Sequence, residues 1–208
     1  MKTQAVLTGD IINFTKLPPG ERKVLIENTE ALLKSWVKEK ENVEIFRGDS
    51  YQILFKDVSE SVKRSIQLVC WFKMHSKEDN TVEIGTRISL GIGEVSYYGE
   101  TVLKSDGEAF HLSGRNFDQM KDGEYIIINT RDQDKNTGIG ILLNFINKYI
   151  SKWTKGQAEV IFLLLEGNTQ QEIAKALSLS QPSVNSRLRS AGWREFEPTI
   201  KYIADIIK

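Results

Sequence analysis

Hydrophobic and polar positions follow two different periods along the first 130 residues of the chain. Period-two alternation or short apolar runs, which are typical of strands, occur at 4–9, 43–46, 51–55, 82–95 and 125–129. Apolar positions at helical spacing occur at 20–40, 58–75 and 107–121. The resulting order is β-α-β-β-α-β-α-β. This order predicts an α+β fold, with a ferredoxin-like or palm-type antiparallel sheet and helices packed on one face.

The pattern changes after residue 130 and becomes helical throughout. The segment 131–138 (RDQDKNTG) is predicted to be a linker, because it is polar along its whole length. An apolar helix is predicted at 139–153, and further helices follow it. We therefore predict two domains among the 208 residues. The first covers 1–132, and the second, a small all-α domain, covers 139–208.

The segment TQQEIAKALSLSQPSVNSRLR, which begins at Thr169, has the features of a helix-turn-helix. Thr169 and Glu172 form a predicted capping box for the first helix, and Ser180 is the predicted cap of the second. Ser178 stands in the turn, at the position where a glycine is usual. The whole segment resembles the helix-turn-helix of bacterial regulators and sigma factors.

The exposed face of the second helix offers side chains of the types that contact base edges and phosphates in the major groove. These predicted DNA-binding residues are Gln181, Ser183, Asn185, Ser186, Arg187 and Arg189. An alternative is a helical hairpin that serves only packing or dimerisation. The caps, the turn and the chemistry of the exposed face agree with one another, so we favour DNA binding.

Charge limits how the chain can bind a polyanion. The 28 Lys and Arg residues balance the 28 Asp and Glu residues, so the formal net charge is zero. Residues 151–208 contain eight Lys and Arg residues and six Asp and Glu residues, which gives this half a charge of only +2. Because phosphate contacts supply much of the affinity for DNA, we predict that the chain binds DNA as a homodimer.

Cysteine content and hydropathy indicate the compartment. The only cysteine is Cys70, and the chain has two histidines, so neither an internal disulfide nor a zinc cluster is expected. The first ten residues lack the long apolar stretch of a signal peptide. No segment approaches the roughly 20 apolar residues of a membrane span. We predict a cytoplasmic protein that does not bind membranes.

Two aspartates are predicted to lie close together at one edge of the sheet. Asp10 follows the first strand, and Asp49 lies in the hairpin turn between 43–46 and 51–55. Two adjacent carboxylates repel each other unless one is protonated or a cation lies between them. Carboxylate oxygens are ligands of Mg²⁺ (or Mn²⁺), which also binds substrate phosphates. The alternative is two independent aspartates of the kind that turns and caps favour.

The motifs TGDIINFT, RGDSYQILF, RISLGIGEV and SDGEAFHLSGR resemble the class III nucleotidyl cyclase domain in order and spacing. The resemblance implies that Asp10 and Asp49 hold the metal, with the backbone carbonyl of Ile11 as a further ligand. It also implies that Arg115 neutralises charge on the phosphates. A metal ion and a guanidinium together are what phosphoryl transfer requires.

Three positions depart from the cyclase pattern. His111 stands where the family has an asparagine, Ile45 where it has the lysine that reads the purine, and Lys104 where it has that lysine's acidic partner. An apolar side chain and a reversed charge cannot read a purine in the same way. His111 is predicted either to contact a ligand or to lie in the core, and Asp106 is predicted to cap the helix that follows it.

A second resemblance covers nearly the whole chain. TGDII, GDSYQ, the IGIG-type stretch before Glu94, DGEAFH with a following arginine, and RLRSAGW are together similar to the SatD family. This resemblance implies a palm-like domain joined to a helix-turn-helix, without specifying a reaction. The predicted contacts to a nucleotide or other phosphate ligand are Arg47, His111 and Arg115.

Three functions are compatible with these patterns. The favoured one is a bacterial DNA-binding transcriptional regulator whose degenerate cyclase-like domain binds Mg²⁺ and a phosphate-bearing ligand, with 139–153 as the mechanical link or a dimer seam. The second is a divergent nucleotidyl cyclase, or another phosphoryl-transfer enzyme, with an accessory helix-turn-helix. The third is a palm fold kept for packing and joined to a protein-interaction module.

Overall fold

The computed structural model describes residues 3–77 and 82–208, and its architecture is mixed α/β. The strands of this part are β1 (Thr3–Ile12), β2 (Val43–Phe46), β3 (Ser50–Phe55), β4 (Gly85–Tyr97), β5 (Asp106–Gly107) and β6 (Ile126–Asn129). The α-helices are α1 (Pro19–Ser35), α2 (Val58–Met74), α3 (Glu108–Phe117), α4 (Gln133–Ile150), α5 (Lys155–Leu165), α6 (Gln170–Ala176), α7 (Gln181–Ser190) and α8 (Trp193–Ile206). Within these two ranges, no helix is both long and apolar enough to cross a membrane.

The strands form one sheet in which β2, β3, β1 and β4 are hydrogen-bonded in that order. Neighbours within this set are antiparallel, as predicted. The last strand, β6, instead pairs with β4 in the parallel direction, and the short β5 pairs with the far end of β4. A parallel neighbour requires a crossover, and α3 provides it. The prediction of a wholly antiparallel sheet is therefore wrong for β6.

Helices cover both faces of this sheet, so the prediction of helices on one face is wrong. Ala5 and Leu7 of β1 share a core with apolar residues of α1 and α2. Val6, between them, packs with Ala109 of α3 on the opposite face. Successive side chains of a strand point to opposite faces, so β1 is apolar on both faces over its buried length. Gly91 of β4 lets α3 approach closely, since a Cβ there would lie 2.2 Å from the Ala109 carbonyl oxygen.

Half of the predicted element boundaries of the first half agree closely with the structure, whereas the strand predicted at 82–95 begins at Gly85 and the helix predicted at 107–121 ends at Phe117. The hairpin strands and the helix at 58–75 are confirmed to within a residue. The helix predicted at 20–40 ends at Ser35, and the strand predicted at 4–9 continues through Asp10 to Ile12. Strand β5 was not predicted, because two residues carry no detectable period.

The predicted linker at 131–138 is wrong, because helix α4 begins at Gln133 and Asp132 caps it. Asn136 accepts a hydrogen bond from the Thr130 backbone N–H, and its own amide donates to the Thr130 carbonyl. Asn147, three turns later, accepts from the N–H groups of Tyr125 and Ile126 and donates to the Ile126 carbonyl. Two asparagine side chains thus fasten α4 to the two ends of β6.

The two predicted domains share one hydrophobic core, in which α5 and α8 pack on α2. Trp71 of α2 lies against Phe162 of α5, with ring centroids 6.0 Å apart. At the end of α5, Glu166 accepts hydrogen bonds from Arg64 at 2.9 Å and from the buried Gln67 at 2.5 Å. The helical half is therefore packed firmly on the sheet half.

Candidate functional site

Helices α6 and α7 form the predicted helix-turn-helix. Thr169 accepts a hydrogen bond from the backbone N–H of Glu172, whose carboxylate in turn accepts from the Thr169 N–H at 2.7 Å. The Thr169 N–H and hydroxyl both donate to this carboxylate and lower the pKa of Glu172. The side chain of Ser180 accepts from the Ser183 N–H and so caps α7. Both predicted caps are confirmed.

Apolar residues on the inner faces of the two helices fix their relative position. Ile173 of α6 and Val184 of α7 are fully buried, and Leu188 is nearly so. Between the helices, Ser178 adopts a left-handed conformation with a φ of 55°. This conformation explains why glycine is usual in such turns, since side chains other than Asn and Asp are strained there.

We expect the change Ser178→Gly to stabilise the protein by roughly 0.5–1 kcal/mol, because glycine removes about 1–2 kcal/mol of left-handed strain while increasing the entropy of the unfolded chain. Ser178→Val is the opposite change at the same site and should destabilise the protein, because a β-branched residue fits this region poorly. Urea unfolding of both variants measures the difference. Equal stability of the two variants would contradict the turn geometry.

The outer face of α7 displays five of the six predicted DNA-binding residues. The exposed residues are Gln181, Ser183, Asn185, Ser186 and Arg189. The sixth, Arg187, is only partly exposed and donates from its Nη1 to the Gly156 carbonyl oxygen of α5 at 3.1 Å. It also lies 3.6 Å from a Glu159 carboxylate oxygen. Arg187 thus secures α7 on α5, while the other five remain accessible.

Two exposed cations on the helices that pack against α7 were not predicted. Lys175 lies on α6, the helix before the turn, and Arg194 lies in the first turn of α8. In helix-turn-helix proteins the helix before the turn crosses the DNA backbone. The sequence contains both residues, and the structure shows that α6 and α8, which carry them, both pack against α7.

In the sheet half, the carboxylate of Asp10 binds the guanidinium of Arg87 on the adjacent strand β4. Both oxygens are engaged, with Nη2 to Oδ2 at 2.5 Å and Nε to Oδ1 at 3.2 Å. The Arg87 guanidinium also lies 5.4 Å from the ring centre of Phe117. The hydrogen bonds that Arg87 donates to the Asp10 carboxylate raise the pKa of Arg87. The sequence does not identify Asp10 as the partner of Arg87, because this pairing depends on the exact β1–β4 register.

The backbones of Asp10 and Asp49 lie close together, as predicted. The Ile11 N–H donates to the Asp49 carbonyl oxygen at 3.0 Å, and Asp10 pairs with Ser50 in the sheet register. The side chain of Asp49 accepts a hydrogen bond of 3.4 Å from the Ser50 hydroxyl. In the same turn, Arg47 is exposed, with a φ of 54° and its guanidinium 5.9 Å from the ring centre of Phe46.

Two of the quoted motifs meet behind this edge. The buried phenol of Tyr51 lies directly over Gly9, where a Cβ would come within 2.5 Å of the phenol oxygen. Tyr51 forms a hydrogen bond with Thr86, whose hydroxyl donates to the Asp10 carbonyl oxygen at 2.6 Å. Burial raises the pKa of Tyr51, so the phenol is neutral at ordinary pH. These contacts give Gly9 and Tyr51 a packing role.

The arrangement does not fit a resident Mg²⁺, because Arg87 occupies both oxygens of Asp10 with a positive charge. A metal ion there would have to displace the guanidinium. In the part of the chain that the structure describes, no group of three or more His, Cys, Asp or Glu side chains is placed to hold a metal. The metal site of Asp10, Asp49 and the Ile11 carbonyl therefore remains a prediction that this geometry does not favour.

His111 and Arg115 lie on the exposed face of α3, one turn apart. Nε2 of His111 is 2.8 Å from Oδ1 of Asp106, and both side chains are more than half exposed, so the alternative of a core histidine is wrong. The predicted cap is also wrong, because Gly107 is the N-cap residue of α3 and Asp106 lies in β5. The contact with Asp106 instead holds the imidazole near the start of α3.

Of the predicted ligand-binding residues, Arg47 lies in the turn between β2 and β3, whereas His111 and Arg115 lie on α3. His111 lies in its first turn, whereas Arg87 contacts Phe117 at its last residue. Six residues of helix separate these positions, or about 9 Å along the axis. Ile45 packs against the hydrophobic core, and Lys104 is paired with Glu100. Neither position can read a purine in this arrangement.

We expect Asp10→Asn to destabilise the protein by about 1–2 kcal/mol, because it leaves the part-buried Arg87 without its charged partner. Asp49→Asn should change stability by less than about 0.5 kcal/mol, since its carboxylate makes a single long hydrogen bond. Thermal and urea unfolding of the two variants give the comparison. A stability gain for Asp10→Asn would show that the carboxylate is a strained site residue instead.

The comparisons with known proteins leave the family open. A scan against protein-family models gives no match. A search of curated proteins gives no significant match. The functional argument therefore depends on the geometry of the chain itself.

Proposed function

We propose that this chain is a sequence-specific DNA-binding regulator and that α7 is its recognition helix. One observation carries the proposal: an exposed polar face, from Gln181 to Arg189, lies on a helix whose inner face is buried and whose ends are capped. Asn185 and Arg189 are four residues apart and share one side of the helix. Asparagine reads adenine and arginine reads guanine through paired hydrogen bonds in the major groove.

The charge around this face supports groove binding with few phosphate contacts. Arg189, Lys175 and Arg194 are exposed, whereas Arg187 is held against α5. Each phosphate that is neutralised contributes about 0.9 to the slope of log affinity against log salt. A monomer with three free cations should therefore show a slope near −3, well below that of strongly basic DNA-binding proteins.

The sheet half fits a regulatory role, because it is packed on the helix-turn-helix half. Arg64 and Gln67 of α2 both bind Glu166, which lies between α5 and α6. A ligand that shifts α2 would therefore change the position of α5, on which Arg187 fastens the recognition helix. Such a ligand acts only if it binds one arrangement better than the other. We also propose that the sheet is of the palm type and that the chain is related to the SatD family.

A divergent phosphoryl-transfer enzyme is the alternative that the motifs suggest. Its support is the adjacency of Asp10 and Asp49 at one sheet edge. Against it stand the Asp10–Arg87 ion pair and the packing of the partly buried Ile45 against the core. Incubation with nucleoside triphosphates and Mg²⁺ or Mn²⁺, followed by chromatography of the products, separates the two. Formation of a cyclic nucleotide that Asp10→Asn abolishes would establish the enzyme.

Selection from a pool of random-sequence duplexes tests DNA binding directly. The purified full chain is incubated with the pool at about 0.1 M salt, and bound duplexes are amplified and sequenced over several rounds. If the chain is a sequence-specific regulator, one sequence motif is enriched over the rounds. A duplex that carries this motif then binds more tightly than a scrambled duplex. No enrichment, together with affinity equal for all sequences, would contradict the proposal.

Ligand binding by the sheet half is tested by thermal stability. The chain is heated with a panel of nucleotides, each with and without Mg²⁺, since a ligand of the native state raises the melting temperature. A rise that needs the metal and disappears in an Asp10→Asn/Asp49→Asn variant would support the predicted metal site. A rise that needs no metal and disappears in Arg115→Ala would point to the exposed face of α3.

A further inference from the structure

The solvent side of α4 carries a stripe with heptad spacing. Its members, separated by four and three residues in turn, are Asp134, Gly138, Ile141, Phe145, Lys148 and Lys152, and we refer to them as the α4 seam. All six are exposed, and the last lies two residues beyond the end of the helix. Ile141 and Phe145 are 56% and 58% exposed, which is unusual for large apolar side chains.

The α4 seam lies opposite the face of α4 that enters the core. The buried stripe consists of Ile139, Leu143, Ile146 and Ile150. Each of these residues lies two positions before a member of the α4 seam. A shift of two residues rotates the direction by about 200°, so the α4 seam points away from the core. A helix that is apolar on opposite sides requires a partner on its outer side.

The order of residues in the α4 seam is self-complementary in one orientation. If two copies of α4 pair antiparallel about the middle of the seam, Ile141 of each copy faces Phe145 of the other. The outermost positions then bring Asp134 of one copy opposite Lys152 of the other. Between them, Lys148 lies over Gly138, where space is open for its stem. Each pair occurs twice because of the two-fold axis.

The parallel orientation lacks this match. It would place Asp134 against Asp134 and Lys152 against Lys152, with like charges at both ends of the seam. The charge pattern therefore selects a second copy of this chain in one defined register.

A shallow groove beside the α4 seam supplies further apolar surface. It has a volume of about 210 Å³ and lies between α4 and α8, with Leu142, Phe145 and Phe196 among its lining residues. Thr199 of α8 also lines the groove, and Tyr202, one turn further along the same helix, is 58% exposed. The groove widens the contact of a partner helix beyond one stripe of side chains.

We propose that the chain forms a two-fold symmetric homodimer through antiparallel pairing of α4 along the α4 seam. The contact is centred on the Ile141–Phe145 pairs and oriented by the Asp134–Lys152 pairs. This inference stands apart from DNA binding, because the mass of the protein can be measured without DNA. If DNA binding also holds, the two recognition helices are related by the same two-fold axis.

Sedimentation velocity of the full chain between about 1 and 200 µM tests the dimer, a range that covers the weak interfaces of small area. Wild type should change from monomer to dimer within it. Ile141→Ser/Phe145→Ser should raise the dissociation constant at least about 10-fold. Val24→Ser is the control, since Val24 is a similarly exposed apolar residue on α1. Circular dichroism checks that all variants remain folded.

A charge exchange tests the register. Asp134→Lys alone and Lys152→Asp alone should each weaken the dimer by about 3- to 10-fold, because two attractive pairs become repulsive. The double variant should restore the wild-type dissociation constant. A wild type that stays monomeric at 200 µM, or a dimer unaffected by the serine changes, would overturn the proposal. If the serine changes weaken the dimer but the double charge exchange does not restore its dissociation constant, the antiparallel register is overturned.

Discussion

Replacing Asn185 and Arg189 by alanine should weaken specific DNA binding by about 10- to 100-fold for each change, because each side chain is placed to make paired hydrogen bonds with a base. Both residues are exposed on α7, and their truncation leaves the buried Val184 and Leu188 untouched. The variants should therefore melt at the wild-type temperature. Fluorescence anisotropy with a selected duplex and a scrambled duplex measures both affinities.

The loss should fall mainly on the selected duplex, since base contacts carry specificity while phosphate contacts act on every sequence. Lys201→Ala is the matched control. Lys201 is an exposed cation of α8 that is ion-paired with Glu197, so its removal should change affinity less than about 3-fold. Equal losses for the control and the α7 variants would show that net charge, rather than the face of α7, determines binding.

The change Asn147→Leu should destabilise the protein by about 3–5 kcal/mol, since it leaves three backbone groups of β6 without partners and each costs about 1–3 kcal/mol when buried. For a chain of this length the melting temperature should fall by roughly 10 °C. Asn147 is almost fully buried, so water cannot replace these bonds. Urea unfolding monitored by tryptophan fluorescence gives the free energy of unfolding.

The control is Asn144→Leu, which is the same substitution one turn earlier on the same helix. Asn144 is exposed, so this change should alter stability by less than about 0.5 kcal/mol. If the two variants were equally stable, Asn147 would not fasten α4 to the sheet. Separate unfolding of the two halves in the Asn147 variant would identify this contact as their main connection.

The parts of the fold that the sequence predicts are those with a strong local period. The hairpin β2–β3, helix α2 and the helix-turn-helix caps at Thr169 and Ser180 all follow from spacing and turn chemistry. The hydrogen bonds that define the β2–β3 turn, the helix and the caps join near neighbours in the sequence. Such contacts leave a pattern that can be recognised without the three-dimensional structure.

The parts that it does not predict depend on contacts between distant residues. The polar segment 131–138 has the composition of a linker, yet Asp132 caps a helix there and Asn136 binds the backbone of Thr130. The pairing of Asp10 with Arg87 joins residues 77 positions apart and needs the exact strand register. The same pattern would equally fit two independent aspartates, which is why the sequence alone left a metal site open.

The inward direction of Arg187 illustrates the same limit within the candidate interface. In the sequence, Arg187 stands among the polar residues of α7, and no local pattern distinguishes it from Arg189. The distinction comes from Gly156 on α5, where the missing side chain leaves room for the Arg187 guanidinium. A contact across 31 residues decides which of the two arginines is exposed.

The central claim is that α7 reads a DNA sequence, and the specificity ratio tests it most directly. The affinity of the full chain is measured at about 0.15 M salt for the selected duplex and for a scrambled duplex of equal composition. The account predicts at least about a 1000-fold preference for the selected duplex, at the lower end of specific DNA-binding proteins. A ratio close to one, at any salt concentration at which binding is detectable, would contradict it.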